Sequence, residues 1–171
     1  MSEELISVET NIEDIISKCI GGNEVRRFDQ NNRITIPGNF RERFGNKQVY
    51  LLKNVQSKSK STNCILAYTP EEYYGIFRRL EESFKGEMLD KAKRRIAANS
   101  DRVILDKDGR ITLKTEFMEF ADLCNEEEAV ISCQPTKIEI WNKSKWEIFT
   151  SFDNQTDEDE GEQPDFSQVS L

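Results

Sequence analysis

The polar run Asp29 to Arg33 is followed by strict alternation, with Ile34 and Ile36 on one side of the chain and Arg33 and Thr35 on the other. A period of two predicts a strand with one buried face. The pattern returns at residues 105–113. Leu105 precedes the polar run Asp106 to Arg110, and Ile111 and Leu113 then alternate with Arg110 and Thr112. The offset is 77 residues, and it also carries Phe40 onto Phe117. Tyr68 to Tyr73 matches Trp141 to Trp146 at an offset of 73, so the first copy holds four extra residues, placed by their polarity in the loop Ser57 to Ser61. Two copies are too few for a solenoid and predict two similar halves related by a pseudo-two-fold axis.

The rest of the pattern supplies the elements around each copy. Residues 24–52 read as strand, turn, strand, short helix, strand, and residues 64–68 as another strand. Thr69-Pro70-Glu71-Glu72 opens a helix: Thr69 caps it, Pro70 fits its first position and Glu72 completes a capping box. Tyr73, Ile76, Phe77, Leu80 and Phe84 follow at helical spacing, which buries one face. A second helix, Glu87 to Ala98, carries Lys91, Lys93, Arg94 and Arg95. The second half repeats the plan, with strands at Ala129–Cys133 and Lys137–Trp141 and a closing helical piece containing Trp146 and Phe149. Near the start, Ile12, Ile15, Ile16 and Ile20 form a helical stripe that ends at Gly21-Gly22.

Within each repeated turn the aspartate can accept hydrogen bonds from backbone N–H groups, so Asp29 and Asp106 are predicted to orient the turn. Asn31-Asn32 and Asp108-Gly109 occupy the positions that call for positive φ, with Gly109 the easier solution and Asn32 the next best. The Arg/Thr face is outward, rigidly held and present twice.

Net charge is −8, which argues against a nucleic-acid partner until its distribution is considered. Residues 151–171 hold seven acids and no base, and residues 1–23 hold five acids and one lysine. The stretch 24–150 is therefore at +3, a mildly basic core between two acidic segments. The predicted organisation is an N-terminal extension (1–23), a first repeat (24–85), a linking helix (86–100), a second repeat (101–150) and a disordered acidic tail (151–171). Cys19, Cys64, Cys124 and Cys133 form no CxxC pair, and with no histidine a zinc site is not expected. The cysteines read as reduced, mostly buried thiols of a cytoplasmic protein, since residues 1–20 lack a signal-peptide pattern and no apolar run reaches membrane-spanning length. There is no glycine-rich phosphate loop and no cluster of metal ligands. The sequence thus points away from an enzyme and assigns no catalytic residue, cofactor or metal.

The tandem Asp-x-x-x-Arg copies resemble the MraZ family, whose halves are each of the SpoVT/AbrB swapped-hairpin type. The resemblance rests on Asp29 with Arg33-Ile34-Thr35-Ile36-Pro37, Phe40-Arg41, the aromatic helix from Tyr73, Arg94-Arg95 with Ala97-Ala98, Asp106 to Ile111, and Glu139-Ile140-Trp141. It covers roughly residues 24–149. Asn32 stands where the family usually has glycine, and Lys114 where it has proline. The resemblance implies an α+β fold of two pseudo-symmetric SpoVT/AbrB-like β-hairpin units forming a small barrel with short helices, assembled into a ring oligomer. It further implies a nucleoid-associated transcriptional regulator that binds double-stranded DNA at short direct repeats upstream of division and cell-wall genes.

On that reading Arg33 and Arg110 contact DNA, since the guanidinium fork suits guanine or phosphate. Thr35 and Thr112 share their face, and Arg41 and Lys114, just beyond each strand, add phosphate contacts. The competing reading of each arginine is an internal Asp–Arg ion pair that stiffens the turn. Lys91 to Arg95 is assigned to structure or oligomer contacts, and Tyr73, Phe77, Trp141 and Trp146 to packing. The alternative function is an antitoxin-like interaction module that uses its acidic tail, with Gln163-Pro164-Asp165-Phe166 as an anchoring segment.

Overall fold

Within the described residues the strand and helix signals of residues 24–150 form the elements they predict. The computed structural model describes residues 22–45, 47–56 and 59–153, and the isoleucine stripe, Cys19 and nearly all of the acidic tail lie outside them. The strands are β1 (Asn23–Arg27), β2 (Arg33–Thr35), β3 (Gln48–Lys53), β4 (Ile65–Tyr68), β5 (Ser100–Ile104), β6 (Arg110–Thr112), β7 (Glu128–Cys133) and β8 (Ile138–Asn142). The helices are α1 (Gly38–Arg41), α2 (Pro70–Ser83), α3 (Gly86–Ala98), α4 (Thr115–Ala121) and α5 (Lys143–Asp153), and a 3₁₀ turn at Glu42–Phe44 follows α1. The capping box at α2 is complete: Glu72 N–H donates to Thr69 Oγ1 at 3.3 Å, and Thr69 N–H donates to Glu72 Oε2 at 3.3 Å. Helix α5 runs three residues into the segment expected to be disordered. No helix among the described residues is long and apolar enough to cross a membrane.

The strands build an antiparallel six-stranded sheet in the order β1-β7-β8-β4-β3-β5 and a separate two-stranded ribbon, β2-β6. Exchanging the halves (β1 with β5, β2 with β6, β3 with β7, β4 with β8) reverses the sheet order and leaves it unchanged. The pseudo-two-fold axis therefore passes between β4 and β8, where Leu66 faces Glu139, and between β2 and β6, where Ile34 faces Ile111.

One expectation is corrected. The strands do not close a small barrel; both sheets are open, with β1 and β5 as the free edges of the larger one. Strands β2 and β6 are three residues each and pair only with one another, too short to bridge those edges. The strands flanking each turn take their partners elsewhere in the chain. After one closing bond, Asp29 N–H to Arg33 C=O at 2.9 Å, β1 leaves to pair with β7 and β2 with β6. In the same way β5 pairs with β3. The length difference between the copies is also composite. The offset is 77 from β2 to β6, 80 from Gln48 of β3 to Glu128 of β7, and 73 from Ile65 of β4 to Ile138 of β8. The first copy is longer before β4, in the polar loop foreseen, while the second is longer before β7.

Alternation along the central strands supplies two cores. Ile34, Ile36, Ile111 and Leu113 join Leu51, Ile131 and Ile140 in one cluster, drawn from both copies. Their neighbours Leu52, Val130 and Trp141 join Tyr73, Ile76, Leu80 and Ile96 of the helices in the other. The ribbon thus lies against one face of the sheet and helices α2 and α3 against the opposite face. The aromatics assigned to packing do pack: Tyr73 stacks on Tyr50 at 4.5 Å between centroids, and Trp141 meets Trp146 at 5.6 Å. Of the described cysteines, Cys64 is buried, Cys133 half-buried and Cys124 exposed.

Candidate nucleic-acid interface

Both turns close in the same way. Asp29 Oδ1 accepts from the N–H groups of Asn31 (2.8 Å) and Arg33 (3.0 Å), and its Oδ2 accepts from Arg33 Nε at 2.6 Å. Asp106 repeats this with Asp108 N–H (2.9 Å), Arg110 N–H (2.9 Å) and Arg110 Nε (2.8 Å). The chain reverses through positive φ at Asn32 (57°) and Gly109 (73°), the two positions singled out from sequence. Each turn is bolted to the other copy: Ile36 N–H donates to Gly109 C=O at 2.9 Å, and Leu113 N–H to Asn32 C=O at 3.0 Å.

The aspartates are held ionised. Partial burial pushes Asp29 up, but the N–H groups of Arg33 and Asn31 and the Arg33 guanidinium outweigh it and bring the carboxyl below its ordinary value. For Asp106 the Arg110 N–H contributes most, followed by the Arg110 side chain, and the direction is again downward. Arg110 is correspondingly shifted upward, chiefly by its bond to Asp106. The Asp–Arg pairing weighed as the competing reading therefore forms in both copies. It occupies Nε and leaves the two-nitrogen Nη end of Arg33 without a bond among the described residues. Arg110 differs, since its Nη2 also donates to Asp108 Oδ2 at 2.8 Å.

Pairing of β2 with β6 gathers the four outward side chains. Arg33 faces Thr112 and Thr35 faces Arg110 across the ribbon, while Ile34 and Ile111 are fully buried beneath. Ordinary strand spacings place the two arginine Cα atoms about 8 Å apart on the diagonal. A two-stranded ribbon is one of the two shapes a DNA major groove admits.

The flanking cations diverge. Arg41 is exposed, and its Nε donates to Ile36 C=O at 2.8 Å. Its side chain lies across the second turn, where a Cβ on Gly109 would come within 2.3 Å of Arg41 Cδ. Lys114 instead pairs with Asp101 at 2.8 Å, a bond that shifts its ammonium upward. Lys91 pairs with Glu87 at 2.9 Å and Lys93 with Glu81 at 2.6 Å, while Arg95 Nη2 donates to Val55 C=O at 2.8 Å. Lys91, Lys93 and Arg95 of that helix are thus engaged in ion pairs and a backbone bond, on the face of the sheet opposite the ribbon.

Two basic residues near the turns escaped the reading of the sequence, Lys47 and Lys107, which line one cleft with Arg41. Lys107 was visible by aligning the copies, as the counterpart of Gln30. Lys47 had no sequence signal, because only the tertiary fold carries the residue before β3 to the second turn, where its C=O accepts from Leu105 N–H at 2.8 Å.

Comparison with known proteins matches this architecture to relatives along most of its length. The family model for MraZ protein, described as antitoxin-like, matches residues 96–168. A transcriptional regulator MraZ of Acetivibrio thermocellus is 32% identical over 131 residues, covering 76% of this chain and 85% of the relative. Proteins of the same name from Syntrophobacter fumaroxidans (28% over 136 residues, 79% and 87% covered) and Clostridium tetani (32% over 126 residues, 71% and 80% covered) align similarly. The resemblance carried by the two Asp-x-x-x-Arg turns thus extends over most of the chain, which belongs to the MraZ family.

Proposed function

We propose that this chain is a sequence-specific DNA-binding transcriptional regulator that sets the β2–β6 ribbon into a major groove. The observation that carries the reading is the ribbon itself: two arginines and two threonines on one outward face, each arginine aimed by its own aspartate. Arg33 and Arg110 supply the base or phosphate contacts, Thr35 and Thr112 line the same face, and Arg41 and Lys114 add phosphate contacts at the ends. Asp29 and Asp106 position the arginines.

One ribbon touches little DNA, whereas several held in a ring would engage tandem short repeats together and gain from effective concentration. The free edges of the six-stranded sheet, with Val25 and Ile104 exposed at 50% and 66%, support assembly into such an oligomer. The targets on this reading are the direct repeats upstream of division and cell-wall genes.

The test is fluorescence anisotropy on the gene's own upstream DNA, comparing wild type with Arg33→Ala/Arg110→Ala and tandem with single sites. Specific binding that the double variant loses while its oligomer persists, with a steep loss on single sites, is the expected result. Undiminished binding by the variant would refute the assignment of the site. The antitoxin-like description of the family favours a second reading, capture of a protein partner; tight binding of a partner by residues 151–171 alone would support it.

A further inference from the structure

The pseudo-two-fold axis relates the two turns in backbone but not in charge. Leu105 N–H donates to Lys47 C=O as Phe28 N–H donates to Glu127 C=O (3.1 Å), so Lys47 and Glu127 are counterparts. Lys107 is the counterpart of Gln30, and Arg41 that of Met118, which is buried. The rim of the first turn carries Glu126, Glu127 and Glu128 against one exposed arginine, Arg27, and is acidic on balance, with Gln30 Nε2 donating to Glu126 at 3.3 Å. The rim of the second turn is basic.

Between Arg41, Lys47, Lys107 and Gly109 lies a cleft of about 250 Å³, with Leu105 in its wall and Glu42 and Asp106 as its acids. Lys47 and Lys107 are exposed, and their ammonium groups make no ion pair or hydrogen bond among the described residues. Arg41 spends only Nε, on the Ile36 carbonyl. The absence of a Cβ at Gly109 is what lets Arg41 lie over the turn. Elsewhere in the described chain Lys91, Lys93, Lys114 and Lys143 are each committed to a carboxylate within 2.9 Å. Uncommitted cations converging beside the ribbon are what an incoming polyanion meets first.

We infer that this cleft is a phosphate-anchoring subsite: Arg41, Lys47 and Lys107 hold the DNA backbone beside the second turn, while beside the first turn Arg27 faces three glutamates and Lys114 is already paired with Asp101. The inference rests on the DNA-binding reading and makes the two pseudo-equivalent turns unequal partners of one duplex.

Each phosphate neutralised contributes roughly 0.9 to the slope of log K against log salt on duplex DNA. Anisotropy across a salt series, on the upstream fragment and on an unrelated duplex, tests the subsite. Lys47→Ala/Lys107→Ala is expected to lower the slope by about 2 and to weaken both duplexes by the same factor. Lys47→Arg/Lys107→Arg should retain the wild-type slope, and Gln30→Ala/Glu127→Ala should not lower it. If the alanine pair keeps the wild-type slope while Arg33→Ala/Arg110→Ala abolishes discrimination, the subsite is wrong and the ribbon stands. If wild type binds neither duplex, both readings fall. Both lysines are exposed, and an unchanged far-UV spectrum and melting midpoint confirm that the variants are folded.

Discussion

Gly109→Ala isolates the feature that distinguishes the second turn. Gly109 sits at φ 73°, where an L residue with a Cβ is strained by about 1–2 kcal/mol. The added methyl would also come within 2.3 Å of Arg41 Cδ and 2.6 Å of Arg41 Nη1. These atoms end a flexible side chain, so the clash is relieved by swinging Arg41 away. That movement forfeits its bond to the Ile36 carbonyl, a loss of about 1 kcal/mol. The sum, about 2–3 kcal/mol, corresponds to a melting midpoint lower by roughly 5–10 °C for a chain of this length. The assay is thermal unfolding followed by fluorescence of Trp141 and Trp146, which pack together in the second core cluster. The pseudo-equivalent change, Asn32→Gly, relieves rather than imposes strain and should leave the midpoint level or raise it slightly, by up to about 2–4 °C for a gain of up to ~1 kcal/mol. A Gly109→Ala variant melting with wild type, or an Asn32→Gly variant melting well below it, would refute the reasoning.

Two further outcomes follow from the titrating groups. The carboxyls of Asp29 and Asp106 are depressed below their ordinary value of 3.8, so the stability they contribute is complete above that value and is lost as pH falls through the depressed ones. The melting midpoint of wild type should therefore fall more steeply between about pH 4 and pH 2 than that of Asp29→Asn/Asp106→Asn, and parallel curves would contradict this. Burial, aided by the charge of Glu139, pushes the Cys64 thiol up to about 12, whereas Cys124 is exposed. At about pH 8 a thiol reagent should modify Cys124 in the folded protein and reach Cys64 only on unfolding; equal rates would show that the second core opens readily.

The first turn illustrates what was legible in sequence. Asp29, Asn32 and Arg33 act on neighbours within five residues, so their types and order alone predict the carboxylate–amide bonds, the positive φ and the exposed Arg/Thr face. The capping box at Thr69 and Glu72 is equally local. The partner of each strand is not local. Nothing in β1 states that it will pair with β7 rather than with β2, because alternation specifies which face is buried and leaves open which backbone lies alongside. The barrel expected from resemblance failed for that reason, and the composite length difference stayed hidden behind its net value of four.

The sequence by itself determined the repeat, the pseudo-two-fold relation, the turn chemistry and the residues that point outward, since all of these are written in spacings shorter than one strand or helix. Only the tertiary structure decided that the two arginines share one ribbon, that Arg41 lies over Gly109 and that Lys47 arrives beside Lys107. Those are contacts between residues far apart in the chain, formed when burial of Ile34 against Ile111 and of the shared core brings the two copies together.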